Sequence, residues 1–529
     1  MKKSAIWLFP LLMFGSTASA EGGFLDTVAS INSAVNGVVW GAPALVLLFF
    51  VGVLMTVLTK VFQVTHFGHW MKKTIGAVFK DRHVTAHTSD RSISQFQSLC
   101  TALAATVGTG NIVGVAGAII VGGPGAVFWM WVMAFLGMMT NYSENVLGIF
   151  YRRKNAHGEW SGGAMYYLRD GLGAKKGCAG LGKALAWLFS FFCLVASFGI
   201  GNMTQVNSIS GNMSAVFGIP SWVTGLVVMI MVGLVVVGGL KRIASVTEKI
   251  VPFMVILYMV GSLVILFAHI SKAGEVFSSI FQGAFAMQSA AGGVVGYGIR
   301  LAIEQGMKRG VFSNEAGLGS SVMVHSNSNV KEPVKQGMWG IFEVFADTII
   351  VCTLTAFAIL SSDLVDLETG KVVSEVVRNG QTIAISNANL VSSVYGQQFG
   401  FAGSAFIAVS IMLFAFSTVL GWSHYGTKAC EYLLGEKRTV PYRVLFVLLV
   451  FGGAVMGENL AWDLADTFNG LMMIPNLIGV IALSGTVAKI TKNYVDRNLK
   501  GVKEPPMYSA FPDIEAEEEA APDSPEDLA

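Results

Sequence analysis

Val107-Gly108-Thr109-Gly110-Asn111-Ile112-Val113-Gly114 interrupts a hydrophobic run that extends from about Phe96 to Val121. A run of that length suffices to cross a bilayer, which takes roughly 20 residues. Its centre nevertheless holds three glycines and an asparagine, where an unbroken span would carry Leu and Val. Gly weakens a helix interior by about 1 kcal/mol relative to Ala. An opened turn in lipid also exposes backbone groups, at several kcal/mol each, so it persists only where protein buries it or where it lines a cavity. The stretch therefore predicts a broken helix and a binding site near the middle of a membrane.

The rest of the chain supports that reading. Of 529 residues, 53% are hydrophobic and 13% charged, which predicts an all-α polytopic membrane protein embedded in a lipid bilayer. A net charge of +2 leaves no electrostatic footprint for nucleic acid. Cys100, Cys178, Cys193, Cys352 and Cys430 show no paired metal-ligand spacing, which argues against disulfides and a structural metal. At the N-terminus Lys2 and Lys3 precede a short apolar core and Ala18-Ser19-Ala20, so residues 1–20 read as a signal peptide. Residues 21–40, with Phe24, Val28, Ile31, Val35 and Val38 at helical spacing, read as an amphipathic segment on the periplasmic surface.

Residues 41–490 form the expected transporter domain. A first span, about Ala42 to Phe62, is followed by a loop with Lys60, Lys72, Lys73, Lys80, Arg82 and Arg91, a cytoplasmic signature. The interrupted span 96–121 returns outward. The next, to about Phe150, ends on Arg152, Arg153 and Lys154. Further spans are expected at about 184–217, 221–240 and 247–269. Between residues 275 and 336 the charges Arg300, Glu304, Lys308 and Arg309 suggest an outer helix and vestibule feeding a second interrupted span from Gly310 to about Ser326. Spans at 336–360, 399–428, 442–456 and 464–489 bring the expected count to about 11. Lys308 and Arg309 are the one violation of the positive-inside pattern. Residues 491–529 read as a cytoplasmic acidic tail, expected to be disordered, because nine acidic residues and five prolines lie from Gly501 onward.

Leaving out the first span, the glycine-rich break opens the first of ten spans, and Phe312-Ser313-Asn314-Glu315-Ala316-Gly317-Leu318-Gly319-Ser320 opens the sixth. Two interrupted segments in corresponding positions point to inverted five-helix repeats around a midplane site. The half-helix after the first break offers amides near Thr109, Gly110 and Asn111, and its positive dipole end favours a carboxylate by about 0.3–2 kcal/mol. Carbonyls with Asn111, Ser313 and Thr418 are hard oxygen ligands suited to sodium. A zwitterion beside a small cation satisfies such a site, with Phe312 and Trp422 available as walls.

The run Gly122-Gly123-Pro124-Gly125-Ala126-Val127-Phe128-Trp129-Met130-Trp131-Val132-Met133-Ala134-Phe135-Leu136-Gly137 resembles the signature of the alanine or glycine:cation symporter family. So do Thr109-Gly110-Asn111, Ser161-Gly162-Gly163-Ala164-Met165-Tyr166-Tyr167 and the stretch from Arg309 to Ser320. The resemblance covers roughly residues 40 to 490. It implies sodium-coupled uptake of alanine, glycine or a similar small neutral amino acid, with no organic cofactor, on the leucine-transporter-type fold in a bacterial inner membrane. Carried onto this chain, it implies that Thr109 and Gly110 meet the substrate carboxylate, that Asn111 faces both substrate and one cation, and that Phe312 covers the substrate. Ser313 would face the same cation. A second cation would use carbonyls of Ala104 and Val107 with the hydroxyls of Ser417 and Thr418. Gly114, Gln205, Gly317, Thr418 and Trp422 complete the implied substrate contacts.

Glu315 either meets the substrate ammonium or a proton, or accepts hydrogen bonds from amides freed by the break. Asp347, one helical turn from Glu343, either attracts the cation or pairs with a nearby Arg or Lys. The alternatives to sodium symport are proton-coupled symport, with Glu315 or Asp347 titrating, and an ion channel. A channel needs a ring or repeated filter that two asymmetric breaks do not supply. A hydrolase needs a nucleophile motif that the sequence lacks, so no enzyme is expected.

Overall fold

A computed structural model describes residues 24–520 apart from 88–91, 156–157, 286–293, 368, 379–380 and 457–458. The signal-peptide segment 1–20 and the last nine residues lie outside the described residues. The chain is helical almost throughout, with two short antiparallel hairpins, Arg153–Lys154 with Trp160–Ser161 and Glu375–Arg378 with Gln381–Ala384. Among the described residues seven helices are long and apolar enough to cross a membrane, or eight if a pair bent by 60° counts as one span. That bent pair is the expected one: Gln95–Thr106 and the stretch Thr109–Gly122.

Local chemistry explains the break. Ser94 and Gln97 form a reciprocal cap at the start of Gln95–Thr106, Ser94 Oγ accepting from the Gln97 amide and Gln97 Oε1 from the Ser94 amide, each at 3.1 Å. At the other end the Gly108 amide, which in a continuous helix would donate to Ala104, donates to Asn111 Oδ1 at 3.0 Å. Asn111 thus replaces the missing helical bond from within the break, and helix resumes at Val113–Gly122. Gly123, with φ +66°, closes that helix before Pro124.

Two series of five segments follow one another. The first comprises the bent pair, Gly125–Phe150, Ala179–Phe217, Ser221–Val236 and Gly239–Ala268; the second begins with Val294–Asn314 and continues through Pro333–Leu360, Phe401–Leu434, Thr439–Val455 and Asn459–Lys500. Counterparts pack on each other: Val113–Gly122 on Val294–Asn314, Gly125–Phe150 on Pro333–Val344, Ala179–Phe198 on Phe401–Leu434, and Ser221–Val236 on Thr439–Val455. Close approach is bought with glycine: a Cβ on Gly340 would lie 2.3 Å from Asn141 Oδ1, and one on Gly148 would lie 2.1 Å from a Val322 methyl. Phe253, Ile256, Val260, Val264 and Phe267 form an exposed apolar stripe along Gly239–Ala268, the face expected to meet lipid.

Three expectations change. The second interrupted segment starts at Val294, sixteen positions earlier than Gly310, as one 21-residue helix ending at Asn314. Three of its four charges pair: Arg300 with Glu304 at 2.7 Å, and Lys308 with Asp466 of the last helix at 2.7 Å, over the Trp40 ring; Arg309 lies over the Phe312 ring. Lys308 is therefore an ion-paired residue of the bundle. Second, the helix Phe24–Val39 forms, but Asn36 and Trp40 bond to Asp466 and Thr467, and with Ala42–Leu58 it makes one apolar stretch of 32 residues from Thr27.

Third, the acidic tail is ordered through Ala520. The last span runs on to Lys500, and Pro512–Ala520 is helical. The Ala510 amide donates to the Phe150 carbonyl at 2.9 Å, Arg153 lies over the Phe511 ring, and Ile514 is buried. Arg152, only 3% exposed, bonds to Glu518 and to the carbonyls of Ser328 and Val330, and Lys154 bonds to Glu517. Composition suggested a solvated chain because the acids have no local partners; the basic end of Gly125–Phe150 supplies them. The face of the bundle bearing Arg152, Arg153 and Lys154 is called the basic face below.

Candidate functional site

The two breaks meet. A Cβ on Gly110 would lie 3.3 Å from both the Phe312 ring and the Ser313 Cα. Phe312 therefore covers Gly110, in a contact that a side chain would enter only if a neighbour gave way by a few tenths of an ångström. Between them stands Asp347, fully buried on the helix that continues from Pro333–Val344. Its Oδ1 accepts from Asn111 Nδ2 at 2.6 Å, and its Oδ2 accepts from Ser313 Oγ at 2.8 Å and Thr348 Oγ1 at 2.7 Å. Cys352 Sγ is 3.4 Å from Asn111 Nδ2 and 3.3 Å from Ser313 Oγ. One carboxylate thus joins both breaks, with no Lys or Arg paired to it among the described residues. Of the two readings of Asp347, the pairing with a basic residue falls.

The other residues singled out from sequence divide clearly. Thr109 Oγ1 donates to Gln205 Oε1 at 3.0 Å, and Gln205 Nε2 is held by the Ile200 carbonyl at 3.0 Å. Gln205 lies just past the π-helical turn Gly199–Met203. Thr418 packs on Gly108, where an added Cβ would stand 2.4 Å from its hydroxyl oxygen. Gly114 is buried, yet nothing lies within 4 Å of where its side chain would point. Ala104 and Val107 are buried at the end of the first half-helix. Ser417 donates to the Phe414 carbonyl at 2.8 Å and reaches Met254 Sδ at 3.4 Å, which puts it on the face toward Gly239–Ala268.

Three assignments are corrected. Gly317 is turned away from the meeting point: a Cβ there would strike Leu48 at 2.6 Å, and its carbonyl accepts from Asn476 Nδ2 at 2.8 Å. Its role is to let the chain reverse, at φ +94°. Asn111 presents its amide nitrogen, not its oxygen, to Asp347, because Oδ1 is engaged by the Gly108 amide. Glu315 accepts from side chains and not from freed amides: Trp422 Nε1 donates to its Oε1 at 2.9 Å and Ser320 Oγ to its Oε2 at 2.5 Å. Trp422 is thus tied to the second break through Glu315.

Sequence reasoning did not name the partners of several buried groups. Asn314 bonds Thr348 Oγ1 at 3.0 Å, Glu144 accepts from Asn476, and His325 bonds Glu343. The one available signal was an ionisable or amide residue in an apolar segment, which marks burial without naming a partner.

A glycine-built crossing of two interrupted helices around a buried acid is transporter architecture, and the family comparison decides which kind. The family model described as the sodium:alanine symporter family matches residues 25–509. The chain belongs to the sodium:alanine symporter family. It is 41% identical over 470 residues to the sodium/alanine symporter AgcS of Methanococcus maripaludis, covering 89% of this chain and 98% of that protein. It is 40% identical over 473 residues to an uncharacterized transporter of Haemophilus influenzae, covering 89% and 97%. A solved manganese transporter of Eremococcus coleocola is similar with a TM-score of 0.45 and 11% identity, covering 83% of this chain and 87% of that one. This family is one of amino-acid transporters, so the protein is a multi-pass membrane transporter of amino acids and not an enzyme. The tail helix from Pro512 lies beyond the residues that the family model matches.

Proposed function

We propose that the protein carries a small neutral amino acid, alanine or glycine, into the cell together with sodium across a bacterial inner membrane. The observation that carries this reading is Asp347 at the contact of the two breaks. A sodium ion there would take oxygen from Asp347 and Ser313, displacing the Asn111 amide nitrogen from the carboxylate. A buried carboxylate without a basic partner is costly, and a bound cation removes that cost. The Thr109 and Gly110 amides, at the start of the second half-helix, suit the substrate carboxylate. Phe312 lies over Gly110, and the open space beside Gly114 leaves room for a small side chain.

A second sodium fits the crossing of the first half-helix with Phe401–Leu434, between the carbonyls of Ala104 and Val107 and the hydroxyls of Ser417 and Thr418. The contact of Thr418 with Gly108 supports it. Each sodium entering gains about 2.3 kcal/mol per 100 mV of membrane potential. Sodium and substrate share one site, so each raises affinity for the other. Alternating access is rocking of the broken segments against the remaining spans. The basic face is the cytoplasmic one on this reading, by the excess of Lys and Arg in its loops.

Radiolabelled alanine uptake into proteoliposomes tests the proposal. Accumulation is expected only with an inward sodium gradient; equal uptake with sodium replaced by choline would overturn it. Competition by unlabelled glycine and by larger amino acids then sets the substrate range.

A further inference from the structure

The two broken segments also meet a second time, close to the basic face, and the contact there is built on an acid and a base. His325, the last residue of the short helix Val322–His325, and Glu343 are both fully buried, with Nε2 and Oε2 2.9 Å apart. The other imidazole nitrogen, Nδ1, faces Ser98 Oγ of the first broken helix at 3.3 Å and the Gln336 amide. Glu343 Oε2 is also reached by Asn141 Nδ2 of Gly125–Phe150 at 3.5 Å. Four elements therefore converge on one imidazole–carboxylate pair. Glu343 Oε1 and Gln336 Oε1 are buried there without a hydrogen-bond partner.

The electrostatic surroundings are one-sided. The titratable and charged groups on the packed elements include Cys100 on the first broken helix, Tyr142 and Glu144 on Gly125–Phe150, Lys335 on the helix Pro333–Val344, Glu315 at the second break and Asp347 beyond Val344. Phe401–Leu434 adds His424, Tyr425 and Lys428. Glu144, Glu315 and Asp347 all lie within electrostatic reach of Glu343. Of the nearby basic residues, Lys428 is engaged by Glu431 and Ser161 and Arg152 by Glu518 and two carbonyls, while Lys335 is exposed. An imidazole and a carboxylate that share one proton carry no net charge. Without that proton they hold a net negative charge in a dry interior beside three further acids, which burial strongly disfavours. A turn of the Gln336 amide, whose oxygen has no partner, would let Nδ1 donate as well and so accommodate the imidazolium form.

We propose that His325 and Glu343 form a proton-binding site, loaded while the basic-face ends of the two broken segments are held together and emptied when they part. On parting, water reaches the pair, the proton passes to water and the basic-face compartment, and the charges left behind are solvated. Proton concentration on that face then sets how readily the transporter opens there. This rests on the alternating-access reading above, and on the basic face being the lumenal face of right-side-out proteoliposomes.

The test measures sodium-driven alanine uptake at fixed external pH while lumenal pH is varied from 6 to 8.5. Initial rates are expected to fall as the lumen is acidified, approaching tenfold per pH unit where a single proton controls opening. In Glu343→Gln and in His325→Gln, each of which keeps a hydrogen-bonding side chain of similar size, uptake is expected to persist with a flat lumenal-pH profile. A wild-type rate independent of lumenal pH overturns the proposal by itself, so poor expression of a variant does not shelter it. A profile that survives in both variants assigns the proton to another group and overturns it too. Absence of sodium-driven uptake at every pH removes the symport reading, and this one with it.

Discussion

The first and second breaks do the same job with different chain chemistry. At the first, two substantial helices are joined through Gly108 and a single turn, and no residue from Val107 to Ile112 has a positive φ. Its glycines are there for closeness: to Thr418 at Gly108, and to Phe312 and Ser313 at Gly110. At the second, a 21-residue helix stops at Asn314 and the chain turns through Glu315, Gly317 and Gly319, at φ +56°, +94° and +73°, before one further turn of helix. A non-glycine residue in the left-handed region costs about 1–3 kcal/mol. Glu315 is held there by Trp422 and Ser320. The first break is a joint that brings backbone close to Thr418 and to the second break; the second is a strained turn held by buried polar side chains.

That contrast makes glycine substitutions at the two breaks behave differently. Gly319→Ala should have the largest effect, because its φ is left-handed and the new Cβ would stand 2.7 Å from Asn476 Cγ. A loss of about 3 kcal/mol is expected, read as a lower thermal midpoint in detergent and reduced yield of monodisperse protein. An unchanged midpoint would mean that the second break relaxes freely, and the comparison would fail. Asp347→Asn comes next. It keeps the shape of the contact and removes the charge, so the sodium concentration for half-maximal uptake should rise by about tenfold or more, equivalent to at least ~1.4 kcal/mol. Wild-type sodium dependence in that variant would move the ion elsewhere.

Gly110→Ala sharpens the contrast from the other side. Its Cβ would meet Phe312 and Ser313 at 3.3 Å, which a small ring shift relieves. The thermal midpoint should move little while alanine affinity falls several-fold, about 1 kcal/mol. The reverse pattern would make the first break a folding element like the second. Thr109→Val has the smallest expected effect. It removes one buried hydrogen bond to Gln205, worth about 0.5–1.5 kcal/mol, and should raise the alanine KM by a few-fold at unchanged sodium dependence. A matching change in sodium dependence would show that Gln205 positions the ion as well.

What could be read from the chain alone was what neighbours in sequence decide. Gly, Asn and Ser crowded into an apolar run lower helix stability over a few residues, so both breaks were legible, and so were the basic ends of Gly125–Phe150 and Asn459–Lys500. The family signature added the fold and the activity. Pairings across the chain were not legible. Asn111 meets Asp347 from 236 positions away, Lys308 meets Asp466 from 158, and Arg152 meets Glu518 from 366. Each desolvated charge must find a partner, but many residues of the right chemistry are available. Only packing chooses among them, which is why Asp347 emerged at the contact of the two breaks, Gly317 left the site, and a tail with the composition of a disordered segment docked on the basic face.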